Sequence, residues 1–445
     1  MIEGTQKSEA TQRNINPSDI SLPPGYNIEV FAQGLDLPVS MFFTENGDLI
    51  FAELGYTTGN PRILRLSEGR FDVVAENFNV PITGINYYDG VIYVSHSGFI
   101  SVVELDGTRR NIILGLPSNG DYNNNRVVIG PDEKMYFGQG TATNSGVVGL
   151  DNDWVFTNPM VYDYSGEYVM LNGQNFETEN ILIENPQSEK LYTGAYSPYG
   201  IPNTPNEVRK GITRASGSIL RANLDGSELE LYAWGFRNPV YMKFDNVERL
   251  FVANNGYEAR GSRPIANAVD EFFLVAPGIW HGWPDYSGGD PVTLPRFKPE
   301  GREQPEFLLT QHPNIPPRPY AIFPTNSVIR GFDFNYNQAF GPFGDVYIAE
   351  FGRSGLRIRG DTTPYIGTGQ RISKIDMKTG GVSTFAINRS GFPASMTKEG
   401  GLERPAEVVF GPDGAMYVLD LGWNVSMESN LFVPNSGVIW RIYKE

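Results

Sequence analysis

The sequence predicts an all-β fold, a six-bladed β-propeller of four-stranded antiparallel blades with long loop insertions on one face. Three observations carry this expectation. A short turn–strand–glycine pattern recurs six times, its first three copies are evenly spaced, and the two ends of the chain hold complementary strand patterns.

Each copy has a turn with Asn, Asp or Gly, then an alternating apolar strand, then a glycine. The copies are NGDLIFAELG (46–55), DGVIYVSHSG (89–98), DEKMYFGQG (132–140), VERLFVANNG (247–256), GDVYIAEFG (344–352) and DGAMYVLDLG (413–422). Their equivalent apolar positions are Ile50, Tyr93, Tyr136, Phe251, Tyr347 and Tyr417. The first three lie 43 residues apart, the span of one propeller blade. A second strand type with its own turn follows each copy, as in RILRLSEGRFDVVAENF. The C-terminal SGVIWRIYKE is that second type without a partner, and YNIEVFA (26–32) supplies one. The N-terminal strand is therefore expected to complete the last blade and remove a sheet edge.

Tyr136 and Phe251 are 115 residues apart, so a long insertion falls near 141–212, and a second one near 257–330. Loops of that length in a compact fold are uncommon and often functional. The propeller is expected to span 22–445. Residues 1–21 are polar, lack the apolar core of a signal peptide, and read as a flexible tail.

Fifty glycines and 32 prolines suit short strands and many turns. A net charge of −16 argues against nucleic acid as a partner and suits neutral or cationic ligands. With no cysteine, disulfides, thiolate metal sites and cysteine nucleophiles are excluded. No apolar run reaches the roughly 18–20 residues of a membrane span. A mature periplasmic or secreted protein is expected, with cytoplasmic residence left open. Oligomeric state is not legible.

Three residues past each apolar position comes a polar one: Glu53, His96, Gln139, Asn254, Glu350 and Asp420. With the repeated strand read as the innermost of its blade, these six form a polar ring around the axial channel. Converging carboxylates would raise one another's pKa, a cost that a bound cation or a donor network relieves.

Three stretches depart from the blade pattern: GDYNNNRVVIGPDEKMYFGQG (120–140), WGFRNPVYMKFD (234–245) and VDEFFLVAPGIWHGWPDYSGGD (269–290). Arg237 lies where blade connections open onto one face, and a guanidinium there can clamp a planar carboxylate. Taken in order, the chain from about 22 to 445 resembles the glucose/sorbosone dehydrogenase family, soluble six-bladed propellers that use pyrroloquinoline quinone (PQQ) and calcium. LPPGYNIEVFAQGLDLPVSMFF is similar to that family's opening strand, GFRNP to its Gly-x-Arg-Asn-Pro signature, HGWP to its Tyr-Gly-Trp-Pro element, and LERPAEVVFGPDGAMYVLDLG to its last blade.

The resemblance implies a sugar or aldose dehydrogenase with a small carbohydrate substrate. It implies that Arg237, Asn238 and Arg404 hold the quinone, with Arg330 near an expected lysine, and that the carbonyls of Gly256 and Tyr257 hold calcium. Glu271 matches a ligand of a second calcium, and His281 the tyrosine whose carbonyl serves there. Asp121 matches the acid before the catalytic histidine, but Tyr122 stands in the histidine's place, and Ala406 stands where a second arginine is usual. Oxidation of a sugar hydroxyl needs a base near neutral pH, and a tyrosine with an ordinary pKa of about 10 is a poor one. Two other readings stay open: a non-catalytic glycan- or partner-binding propeller, and a metal-dependent lactonase-type hydrolase working at the polar ring. No His-Glu-x-x-His, Gly-x-Ser-x-Gly or phosphate-cradling glycine loop is present.

Overall fold

Short alternating strands bounded by Gly, Asn and Asp turns cannot bury both faces alone, and here they stack as blades around an axis. The computed structural model describes residues 13–183, 189–353, 368–423 and 432–445. Blade one runs Pro38–Phe43, Leu49–Glu53, Arg62–Ser67 and Arg70–Glu76. Blade two runs Ile82–Tyr88, Val91–His96, Phe99–Glu104 and Arg109–Leu114. Blades three, four and five begin at Asn124–Ile129, Asn238–Phe244 and Ile329–Phe334. Blade six takes Pro405–Phe410, Met416–Asp420 and Gly437–Lys444 from the end of the chain and Tyr26–Leu35 from its beginning. The expected closure is thus present, with Tyr26 opposite Lys444 and Leu35 opposite Gly437. Strand pairs within the blades are antiparallel, and the one α-helix among the described residues is Ala394–Thr397.

Three expectations are corrected. First, Arg13–Ser21 does not trail as a tail. The Arg13 guanidinium is buried against Asp420 at 2.7 Å and donates to the carbonyls of Ser436 and Gly401. Ile20–Ser21 adds a fifth strand to blade five, opposite Asn388 and Ile387. Residues 1–12 lie outside the described residues. Second, the 257–330 stretch is not wholly inserted, because Asp270–Leu274 and Ala321–Phe323 are the outer strands of blade four.

The third correction concerns the polar ring. The repeated strand is the second of each blade, and the strand before it is innermost, packed against the first strands of the neighbouring blades. Glu53, His96, Gln139, Asn254, Glu350 and Asp420 therefore do not line the axis. They sit opposite the start of their own blade's inner strand, at Pro38, Ile82, Asn124, Pro239, Ile329 and Pro405. From there four of them accept backbone N–H groups of the chain entering that strand. Glu53 takes Asp36 N, His96 takes Asn79 N, Asn254 takes Arg237 N and Asn238 N, and Asp420 takes Glu403 N and Arg404 N. The pattern exists because buried N–H groups at a blade junction need acceptors. Glu53, Asn254, Glu350 and Asp420 each belong to a different blade junction, so the axial ring on which the hydrolase reading rested is not formed.

The axis is instead crossed by a buried network from the inner strands. Arg126 of blade three pairs with Glu407 of blade six and bonds Tyr241 of blade four, whose hydroxyl also donates to Glu407. Two glycines make room: a Cβ on Gly84 would lie 2.5 Å from the Arg126 Cβ, and one on Gly331 would lie 2.6 Å from the Glu407 Cγ.

Candidate functional site

Every inner strand carries a register break just after its start: between Pro38 and Ser40, Ile82 and Gly84, Asn124 and Val127, Pro239 and Tyr241, Ile329 and Phe332, and Pro405 and Glu407. Bulges re-aim side chains and concentrate beside functional sites. Here Val39, Thr83, Asn125, Val240 and Arg330, each from one of these breaks, line a single cavity of about 420 Å3 above the axial network. Ala406 holds the sixth such position but is buried in the core and contributes no charge. Asp121–Asn123, Arg237–Asn238, Asn255–Glu258, Asp270, Phe351–Arg353 and Tyr56 also line the cavity.

Seven residues singled out from the sequence thus meet in one place: Asp121, Tyr122, Arg237, Asn238, Gly256, Tyr257 and Arg330. Arg237 is 3% exposed, with its guanidinium 4.7 Å from the centre of the Tyr122 ring and 3.3 Å from Glu258. Among the described residues its Nε and Nη2 have no hydrogen-bond partner, and neither has Nε of Arg330. Arg330 stacks over Phe351 at 4.5 Å. Arg404, also expected at the cofactor, lies 5.3 Å from the same ring, donates to the Arg353 carbonyl and does not line the cavity. Asn238 is held in an amide chain: Asn125 Nδ2 donates to it, and it donates to Asn255, which donates to the Ile329 carbonyl.

Tyr122 fits because Gly140 lies against it; a Cβ there would be 2.3 Å from the tyrosine's own. Burial pushes its hydroxyl up to about 12, against the pull of Arg237. Asp121 receives Asn152 Nδ2 at 3.0 Å and Trp154 Nε1 at 2.8 Å on one oxygen and Arg260 at 2.6 Å on the other. Arg260 also pairs with Asp151 and Glu258. Burial pushes Glu258 up, but Arg260 and Arg237 prevail and hold it at about 2. Asp270 accepts Gly256 N at 2.7 Å and Ile329 N at 3.1 Å, and burial raises it to about 6.

Of the four expected metal-site residues, Gly256 and Tyr257 border the cavity and the other two do not. Glu271 accepts Gly288 N and Asn254 Nδ2, and burial raises it to about 8. His281 stacks on Phe236 with ring centres 4.2 Å apart, and burial lowers it to about 4, leaving it neutral.

Asn125, Asn255, Glu258, Arg260 and Asp270 were missed as site residues. The signal was available for Asp270, which immediately precedes Glu271, and for Glu258, which follows the NNGY turn.

No family model matches the chain. A curated relative, quinoprotein glucose dehydrogenase B of Acinetobacter calcoaceticus, is 25% identical over 189 residues, 40% of this chain. The match spans 29% of that protein's length. Solved structures share the fold at lower identity. An oxidoreductase from Thermus thermophilus described as a glucose dehydrogenase has a TM-score of 0.54 and 18% identity, covering 94% of this chain and 100% of that one. PQQ-bound aldose sugar dehydrogenase from Streptomyces coelicolor gives 0.53 and 15%, covering 95% and 100%. The PQQ domain of pyranose dehydrogenase from Coprinopsis cinerea gives 0.59 and 14%, covering 96% and 97%. The chain is similar in sequence to a quinoprotein glucose dehydrogenase and shares its six-bladed propeller with solved glucose and aldose sugar dehydrogenases.

Proposed function

We propose that this chain is a sugar dehydrogenase-type oxidoreductase whose cavity over the axis takes PQQ together with calcium, and that its proton-abstraction step is weak. The observation that carries the reading is a cavity bordered by Arg237, Arg330 and Arg353. In it Nε of Arg237 and Nε of Arg330 are buried without a hydrogen-bond partner among the described residues, and Nη2 of Arg237 meets Glu258 only at 3.3 Å. Uncompensated donors of this kind are costly unless an anion meets them. This donor set fits a planar polycarboxylate. The name of the curated relative supports the same cofactor class.

When bound, such a quinone accepts the hydride of the carbinol carbon being oxidised. The protein's own part is positional and electrostatic. Arg237 and Arg330 supply charge to the cofactor's carboxylates, the amide chain through Asn238 fixes the floor, and Gly256 and Tyr257 provide backbone oxygens for calcium. Asp121 and Tyr122 hold the place of the base. The tyrosine stays protonated at neutral pH, and the carboxylate is occupied by three donors, so neither takes the substrate proton readily.

The test is a titration of metal-stripped protein with PQQ, with and without calcium, followed by absorbance and binding heat. One-to-one, calcium-dependent binding is expected, weakened about tenfold or more in Arg237→Leu, the loss of one charge-assisted contact worth on the order of 1.5–3 kcal/mol. Absence of binding at tens of micromolar overturns the reading.

A further inference from the structure

The long excursion between the second and third strands of blade three carries a hairpin, Asn175–Glu179 paired with Lys190–Gly194. Gln174, just before the first strand of this hairpin, and Phe176 within it line one cavity together. This second cavity, of about 340 Å3, has the loop Gly301–Glu306 as its opposite wall and Ser262, Arg263 and Pro264 as its floor. The two cavities share no lining residue.

Two buried polar atoms on residues of this second cavity have no partner among the described residues: the Gln174 Oε1 acceptor and the Arg263 Nε donor. Arg263 is 3% exposed, and its other groups are committed. Nη1 donates to the carbonyls of Ser145 and Pro284, and Nη2 donates to Asp285 at 3.0 Å and to the Glu306 carbonyl. Nε is the one N–H left, and the guanidinium charge is already balanced by Asp285. The remaining charges at the cavity, Arg302 against Glu303 and Glu306, favour no anion. Phe176, Pro264 and Pro305 supply apolar faces.

We propose that this cavity binds a neutral sugar residue, at a carbohydrate site distinct from the cavity over the axis. A hydroxyl donates and accepts at once, so neighbouring hydroxyls of one pyranose satisfy both the amide oxygen and Nε, while the ring's C–H face lies on Phe176. The volume falls within the range of small-molecule sites. The inference is independent of the reading of the first cavity.

The test uses the full chain without added quinone and three probes, glucose, maltose and cellobiose, followed by saturation-transfer NMR and titration calorimetry. Saturable binding of at least one is expected, reduced tenfold or more by Gln174→Leu and by Phe176→Ala, and unchanged in Arg237→Leu. If Phe176→Ala does not fold, Gln174→Leu alone decides, since it removes the carboxamide with its unpartnered oxygen from a half-buried side chain. Absence of saturable binding for all three sugars overturns the proposal. So does binding that survives the second-cavity substitutions, or that is lost in Arg237→Leu.

Discussion

Tyr122 lies against the Arg237 guanidinium with Asp121 beside it, and under the proposed function this is where the substrate proton would be taken. A hydroxyl pushed up to about 12 offers no base at neutral pH, whereas an imidazole with an ordinary pKa near 6.5 does. Tyr122→His is therefore expected to raise turnover with a sugar and a dye acceptor by roughly a hundredfold or more, within the usual range for general base catalysis. The gain should appear in kcat and follow the titration of the new histidine in a pH profile. Much of this cavity was legible because its residues sit at loop ends with distinctive neighbours, GFRNP and NNGY among them. Asn125 and Val39 were not. Each reaches the cavity through a register break in an inner strand, and a bulge leaves no mark on an alternating pattern.

At the scale of the strand, six polar positions in a shared register were read as one ring and proved to be separate braces. Their positions in sequence were legible, but not which strand of each blade lies innermost, because both inner strands of a blade are buried on both faces and carry the same apolar signal. Asp420 shows what such a brace requires. Fully buried, it holds the N–H groups of Glu403 and Arg404 and is neutralised by Arg13, which arrives from the other end of the chain. Its pKa stays below the usual range because Arg13 and the donated hydrogen bonds outweigh burial. Arg13→Ala leaves that carboxylate unpaired, and a loss of about 3–5 kcal/mol in denaturant unfolding is expected. Arg13→Met combined with Asp420→Asn should recover part of it.

For the molecule as a whole, burial of acids decides how stability follows pH. Asp163 accepts the N–H groups of Ala142 and Thr143, and Asp151 pairs with Arg260, yet burial lifts both carboxyls from about 3.8 to about 6. The folded state therefore binds protons that the unfolded chain has released. This contribution is complete below about 3.8 and is lost as pH rises through about 6. Glu258, held at about 2, works in the opposite sense toward strong acid, and His96 and His281, lowered to about 4, oppose the decline between about 4 and 6.5. Asp270, raised to about 6, and Glu271, raised to about 8, add to that decline. The melting temperature of metal-free protein should fall between pH 4.5 and 7 in scanning calorimetry, and Asp163→Asn should flatten that decline.

The closure of blade six has a mechanical meaning. Tyr26 faces Lys444 and Leu35 faces Gly437, so the outer ends of these two strands lie side by side. Tension applied at those ends does not shear the whole ladder at once. It loads the bonds one pair at a time, beginning at Tyr26, and the strand peels like a zipper. Under force at those two strand ends the ring is thus fastened by a seam that unzips, whereas a pull on the chain before Arg13 must first draw Ile20–Ser21 from the edge of blade five.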